Sequence, residues 1–231
     1  MERLAPQPGG GNPYLVVRTR FFDDVLLAAA REGVTQVGIL AAGMDARAFR
    51  LDWPAGTTVF EVERAGVLAH KEKVLASLGA KPRARRVVVE ADLREDWRAA
   101  LAKAGHDATR PTAFLVEGLL CYLPDEATAR AIFAAVASVA APGSRLAFDV
   151  PGASFLGMPM LRSLFDALAA RGIAWTFGTD DPERLLASAG WPDARVALPG
   201  DADVSHGRWP YPSGPRGIPG VPYSYLAVGR R

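Results

Sequence analysis

Gln36-Val37-Gly38-Ile39-Leu40-Ala41-Ala42-Gly43-Met44-Asp45-Ala46-Arg47-Ala48-Phe49-Arg50 is the stretch whose reading decides the fold. Its apolar first half reads as a buried strand, its middle is a cluster of small residues, and its second half opens a helix. Strand, small-residue turn and helix in that order are how open α/β sheets take nucleotide-like ligands at the carboxyl ends of their strands. A ligand reaches the backbone only where side chains are missing, which makes Gly43 the informative position.

Working outward, apolar periodicity places strands at 34–40, 57–62, 86–91, 112–117 and 144–150. Helical segments precede or separate them at 18–31, 45–50, 64–78, 96–104 and 125–140. That alternation implies βαβ units and a parallel sheet covered on both faces. Two further helices follow at 161–170 and 181–189, then strands at 194–198 and 223–228 joined by a long Pro/Gly-rich loop. Late strands without an intervening helix imply that the last one runs antiparallel. The expectation is an α/β fold with a seven-stranded, mostly parallel sheet, in one domain over residues 14–231 after a flexible segment 1–13.

The bulk numbers narrow the function classes. The chain has 231 residues, of which 49% are hydrophobic, and a net charge of +2. A charge that small, with basic residues scattered among acids, does not point to nucleic acid. Its one basic cluster, 81–86, reads as a solvated loop. No apolar run reaches the length of a membrane helix, and the Pro/Gly-rich residues 1–12 do not read as a signal peptide, so a cytoplasmic location is expected. Cys121 is the single cysteine, which rules out an intrachain disulfide and a multi-cysteine metal site. No metal is expected.

Two ligands compete for the turn. A dinucleotide needs Gly-x-Gly-x-x-Gly, and Ala41, Gly43 and Ala46 supply one of the three glycines. Asp45 at the helix start repels a pyrophosphate. A phosphate-free ligand such as S-adenosylmethionine suits the turn better. Glu63 follows Gly43 at the spacing of about 20 residues where an acid binds ribose hydroxyls. Asp92 and Leu93, at the end of the third strand, suit an adenine amino group and ring. Glu117 ends an apolar run and needs a cation or donor partner, which an ammonium or sulfonium provides.

Five motifs in order then carry a resemblance: Arg18-Thr19-Arg20-Phe21-Phe22-Asp23-Asp24, the run from Ala41 to Arg50, Phe60-Glu61-Val62-Glu63, Ala91-Asp92-Leu93-Arg94, and Glu117-Gly118-Leu119-Leu120-Cys121-Tyr122-Leu123. Together, over residues 14–150, they resemble the leucine carboxyl methyltransferase family, and within it the bacterial class I branch. The resemblance implies a Rossmann-like class I methyltransferase fold with S-adenosylmethionine as cofactor. It implies Arg20 on the methionine carboxylate, Gly43 and Ala41 under the methionine portion, Glu63 on the ribose, and Asp92 and Leu93 on adenine. It further implies Glu117 near the amino group, Tyr122 lining the methyl-donor pocket, and Asp45 and Arg47 bracing the turn. The family usually has Gly in place of Ala41 and Asp in place of Glu63.

Methyl transfer is an in-line displacement that needs alignment and the exclusion of water. A carboxylate acceptor needs no base, whereas a phenol benefits from one. His70 and His106 read as surface residues, and His206, in the late loop, is the candidate base. Loops at 119–123, 151–160 and 201–222 are expected to build an apolar pocket with Phe155, Leu156, Met158, Met160, Trp209 and Tyr211. The expected activity is O-methylation of a small secondary metabolite at a carboxylate or phenol. A cofactor-binding protein that transfers no methyl, and a nicotinamide dehydrogenase, are the alternatives. The sequence leaves monomer and homodimer both open.

Overall fold

A computed structural model describes residues 12–212, 214–218 and 221–231. Seven strands form one sheet: β1 (Gln36–Leu40), β2 (Thr58–Glu63), β3 (Arg85–Glu90), β4 (Thr112–Val116), β5 (Arg145–Pro151), β6 (Asp193–Ala197) and β7 (Ser224–Arg230), in the spatial order 3-2-1-4-5-7-6. β1 to β5 pair in parallel, and β7 runs antiparallel between β5 and β6. The expected mixed sheet is therefore present, with the last strand inserted beside β5 rather than at the edge.

β1 and β4 are buried along their whole length, as their continuous apolar runs require. Gly38 on β1 matters here. A Cβ at that position would meet the Phe114 ring at 2.6 Å, so its absence lets Phe114 lie across the neighbouring strand.

Helix α1 (Pro13–Arg31) covers one face, with α2 (Arg47–Arg50), α3 (Ala65–Ser77) and the short α9 (Ala202–Ser205). α1 starts earlier than periodicity alone indicates because Pro13 occupies its first turn and Asn12 accepts the Tyr14 N–H at 3.0 Å. Residues 1–11 of the segment expected to be flexible lie outside the described residues, and Asn12 and Pro13 belong to the start of α1. α4 (Trp97–Lys103), α5 (Glu126–Ser138) and α8 (Pro182–Ser188) cover the other face around Trp97, Phe133, Phe148 and Trp191. Truncating a buried aromatic such as Phe133 costs about 3–5 kcal/mol.

Between β5 and α8 the chain makes an excursion through α6 (Ala153–Leu156), a short turn at Pro159–Leu161 and α7 (Arg162–Ala169), none of which buries a residue. Among the described residues no helix is long and apolar enough to cross a membrane. Strand order reverses between β1 and β4, and the turn after β1 opens at that switch, where sheets of this kind bind ligands.

Candidate functional site

The turn after β1 is built tightly. Ala41 and Gly43 both take left-handed backbone, φ 51° and 47°. The Gly43 N–H donates to Glu63 Oε2 at 3.0 Å, while Glu63 Oε1 accepts the Arg64 N–H at 2.8 Å. Glu63 thus ties the end of β2 to both the β1 turn and the start of α3. Each carboxylate oxygen keeps a second lone pair for a ligand.

Ala41, Glu63, Asp92, Leu93, Leu119 and Tyr122 line one open cavity of about 1050 Å³ that continues between α4 and α5. The structure therefore brings together residues from four strand ends. Asp92 is gripped by Arg94 through Nε at 2.9 Å, Nη2 at 2.6 Å and the backbone N–H at 2.9 Å. These hydrogen bonds hold its carboxyl well below the usual carboxylate range. Tyr122, in the short turn Leu120–Tyr122, stays 47% exposed at the cavity wall.

Behind the turn lies a network of charge. Arg47, 2% exposed, bonds Asp23 at 2.8 Å, Glu117 at 2.6 Å and Asp45. Arg50 closes on Asp23 with two bonds of 2.6 and 2.7 Å. Arg18 bonds Glu117 at 2.8 Å and Asp149 at 3.0 Å. Asp149 also accepts from the Tyr14 hydroxyl at 3.0 Å and the Gly118 N–H at 2.6 Å. Gly118 has φ 66°, a left-handed turn that glycine takes without strain beside the Arg18 guanidinium. Burial alone would lower the affinity of Arg18 for its proton, but the fields of Asp149 and Glu117 outweigh it and hold the guanidinium charged. Burial, then the charge on Asp149, push the Tyr14 hydroxyl well above its ordinary value.

Several expected residues sit elsewhere. Arg20 does not reach the cavity: it projects from the outer side of α1, its side chain 49% exposed, onto Asp24 at 2.8 Å. Arg18, one half-turn earlier on a helix of 3.6 residues per turn, holds the buried place. His206 also meets Asp24, at 3.3 Å, in a separate cleft of about 260 Å³ between α1 and the β6–β7 side of the sheet. Neither side chain lines the cavity, and the physics is the same for both, since residue type and loop length do not say which side of α1 a side chain takes.

His106 is a second correction. It is buried, its Nε2 3.0 Å from Thr112 Oγ1, among the Phe60 and Phe114 rings, whereas His70 is exposed as expected. Trp209 and Tyr211 pack on each other 5.1 Å apart, with Trp209 against the α1-side core rather than in the cavity. Glu61, two residues before Glu63 on β2, is fully buried on Lys71 and Arg86, each at 2.7 Å. Asp149 and Tyr14 were not anticipated. Asp149 carries the signal that flagged Glu117, an acid inside an otherwise apolar strand end.

The sequence profile described as leucine carboxyl methyltransferase matches residues 2–137. A relative from Mycolicibacterium gilvum, provisionally named an S-adenosyl-L-methionine-dependent methyltransferase, is 54% identical over 160 residues, 69% of this chain and 52% of that protein. The chain spans about half the length of the curated relatives it matches. Among solved structures, a provisionally named methyltransferase from Thermobifida fusca gives a TM-score of 0.59 at 20% identity, over 95% of this chain and 80% of that one. Magnesium protoporphyrin IX methyltransferase from Synechocystis, with bound SAH, gives 0.57 at 17%, over 97% and 90%. These likenesses place the fold with the class I methyltransferases.

Proposed function

Because this chain belongs to the leucine carboxyl methyltransferase family, we propose that it transfers a methyl group from S-adenosylmethionine to the carboxylate oxygen of a small acceptor. The supporting observation is the charge count behind the β1 turn. Asp23, Asp45, Glu117 and Asp149 set four carboxylates against the three guanidinium groups of Arg18, Arg47 and Arg50. One negative charge in excess, in a poorly solvated network, favours a cationic ligand beside it. The ammonium and sulfonium of the donor meet that demand.

In this reading Glu63 takes the ribose diol, and Asp92 and Leu93 take the adenine. Gly43 and Ala41 lie under the methionine chain, Glu117 faces its ammonium group, and Arg18 replaces Arg20 beside its carboxylate. Tyr122 lines the methyl-transfer side. The donor arrives with an activated sulfonium carbon, so these residues orient it and shield the reaction from water.

A carboxylate is favoured over a phenol because every acid described at the rim is already committed. Glu63 holds two backbone amides, Asp92 holds Arg94, and Glu117 and Asp149 hold arginines. An acceptor that is already ionised near pH 7 asks nothing of them. O-methylation of a secondary metabolite by a cytoplasmic protein fits this chemistry. The test is calorimetry with S-adenosylmethionine and S-adenosylhomocysteine, followed by transfer of labelled methyl to a panel of carboxylic acids and phenols. Failure of both cofactors to bind overturns the proposal. Binding without transfer to any acceptor favours the second reading, a binder that does not turn over, which the Ala41 methyl in the cavity wall also suits.

A further inference from the structure

We infer that the acceptor is a planar aromatic acid, received on a partly exposed aromatic platform of Tyr122, Phe155, Phe165 and Trp175 at the methyl-transfer side of the cavity. The inference rests on the methyl-transfer reading above and names the substrate class for it.

Trp175 is the centre of the platform. Its ring centroid lies 6.4 Å from Tyr122, 6.5 Å from Phe155 and 5.9 Å from Phe165, and the two phenylalanines are 6.0 Å apart. Four rings from four segments of chain therefore meet, yet none is fully buried. A cluster that served only to close a core would be expected to lose its solvent exposure.

The platform is anchored to the cofactor side. The Thr176 N–H donates to the Cys121 carbonyl at 2.7 Å, and the Thr176 hydroxyl donates to the Leu123 carbonyl at 2.6 Å. These two bonds flank Tyr122, which also lines the large cavity. Trp175 is thereby held at a fixed place beside the wall where the methyl group is delivered.

The segment that carries the other two rings is also fixed at its base. A Cβ on Gly152 would meet Asp180 Oδ1 at 2.5 Å, and one on Gly178 would meet the Pro151 carbonyl at 2.7 Å. The excursion from 153 to 177 therefore leaves and rejoins the body at two closely packed points. Between them α7 is amphipathic, with Leu164 50% exposed and Met160 just before it 73% exposed. An apolar side chain costs free energy in water unless something covers it, and a flat apolar molecule on Trp175 beneath α7 would provide cover.

The chemistry selects the ligand. Aromatic faces prefer offset or edge-on contact with another π-system. Thr176 is spent on Leu123 and Ser154 on Asp180 at 3.0 Å, so the platform offers mainly ring faces, which a sugar or a linear fatty acid would leave unmatched.

The experiment is calorimetric titration of protein saturated with S-adenosylhomocysteine, using 1-naphthoate and, in parallel, octanoate. The expected result is that naphthoate binds more tightly than octanoate, and that Trp175→Ala weakens naphthoate about tenfold through the loss of its central stacking partner. The same variant should hold S-adenosylhomocysteine within about twofold of the wild type, since the indole is not in the cofactor cavity. Phe165→Ala, on an exposed helix, gives the same readout if the indole is needed for folding. No naphthoate binding, equal binding of the two acids, or indifference to the variants overturns the inference. Failure of S-adenosylhomocysteine to bind at all strikes instead at the cofactor reading.

Discussion

Glu63→Gln separates a ligand-binding role for the acid at the end of β2 from a structural one. The carboxylate is 9% exposed and accepts the Gly43 N–H at 3.0 Å and the Arg64 N–H at 2.8 Å. An amide keeps one acceptor oxygen and turns an NH2 donor toward the other N–H, so one charge-assisted bond becomes a donor facing a donor. A bond to a charged group contributes about 1.5–3 kcal/mol. In a chain of this size each kcal/mol lowers Tm by about 2–4 °C, so a fall of about 3–12 °C is expected. A ribose diol loses the same kind of acceptor. At about 1.4 kcal/mol per decade, its Kd should rise by about ten- to a hundredfold. Thermal unfolding followed by circular dichroism gives the first quantity, and calorimetry with S-adenosylhomocysteine at a temperature where the variant is folded gives the second. A lowered Tm with unchanged Kd would refute the assignment of Glu63 to the ribose and leave it only as the tie between two turns.

Arg18→Gln should abolish measurable binding of S-adenosylmethionine, while Arg20→Gln should change it by less than about threefold, because Arg20 reaches only Asp24; equal losses in calorimetry would contradict this placement. Ala41→Gly should raise Tm by up to about 6 °C, since a left-handed non-glycine residue costs about 1–2 kcal/mol and the added chain entropy offsets about 0.4–1 of it. Burial pushes the Cys121 thiol up to about 12, so a disulfide reagent at pH 8 should label it slowly in the native protein and rapidly after denaturation. Burial lowers the pKa of His106, so the folded state takes up that proton less readily than the unfolded one. Stability from this group is complete above about pH 6.5 and is lost as the pH falls below it. The drop in urea midpoint between pH 7.5 and 5 should be larger in the wild type than in His106→Gln.

The fold was legible because its strands are short apolar runs at regular spacing, and because the turn after β1 carries its small residues where the strand order reverses. Most element ends moved by a residue or two, as terminal hydrogen bonding decides them, while α1 begins five residues earlier, at Pro13. The acids were legible for a related reason: Glu63, Asp92 and Glu117 each stand at a strand end, and parallel strands bring those ends to one rim, where Glu63 and Asp92 line the cavity and Glu117 lies behind the turn on Arg18 and Arg47. Side-chain direction on α1 was not legible. Arg18 and Arg20 differ by about 200° around a helix, and apolar neighbours on both sides left the buried face ambiguous. His106 was misread because a histidine in a loop looks exposed until Phe60 and Phe114 are known to close around it. Of the platform around Trp175, Tyr122 and Phe155 fell within the loops expected to build a pocket, whereas Phe165 and Trp175 gave no signal, since only the folded chain joins rings from segments as far apart as residues 122 and 175.

The three arginines of the network explain why the sequence holds acids at the rim without supplying a base. Asp23, Asp45, Glu117 and Asp149 are each bonded to Arg18, Arg47 or Arg50. Removing a guanidinium from such a site strands buried carboxylates at a cost of about 3–5 kcal/mol, so the pairs hold the β1 turn and the β4 and β5 ends in one geometry before any ligand arrives. Acids held in that way keep their lone pairs directed, which suits recognition of a cation. Proton abstraction asks for the reverse, a carboxyl or imidazole with a pKa near the working pH and freedom to reach the acceptor. A site organised for the first task is poorly organised for the second, and this is the physical ground for expecting an acceptor that brings its own negative charge.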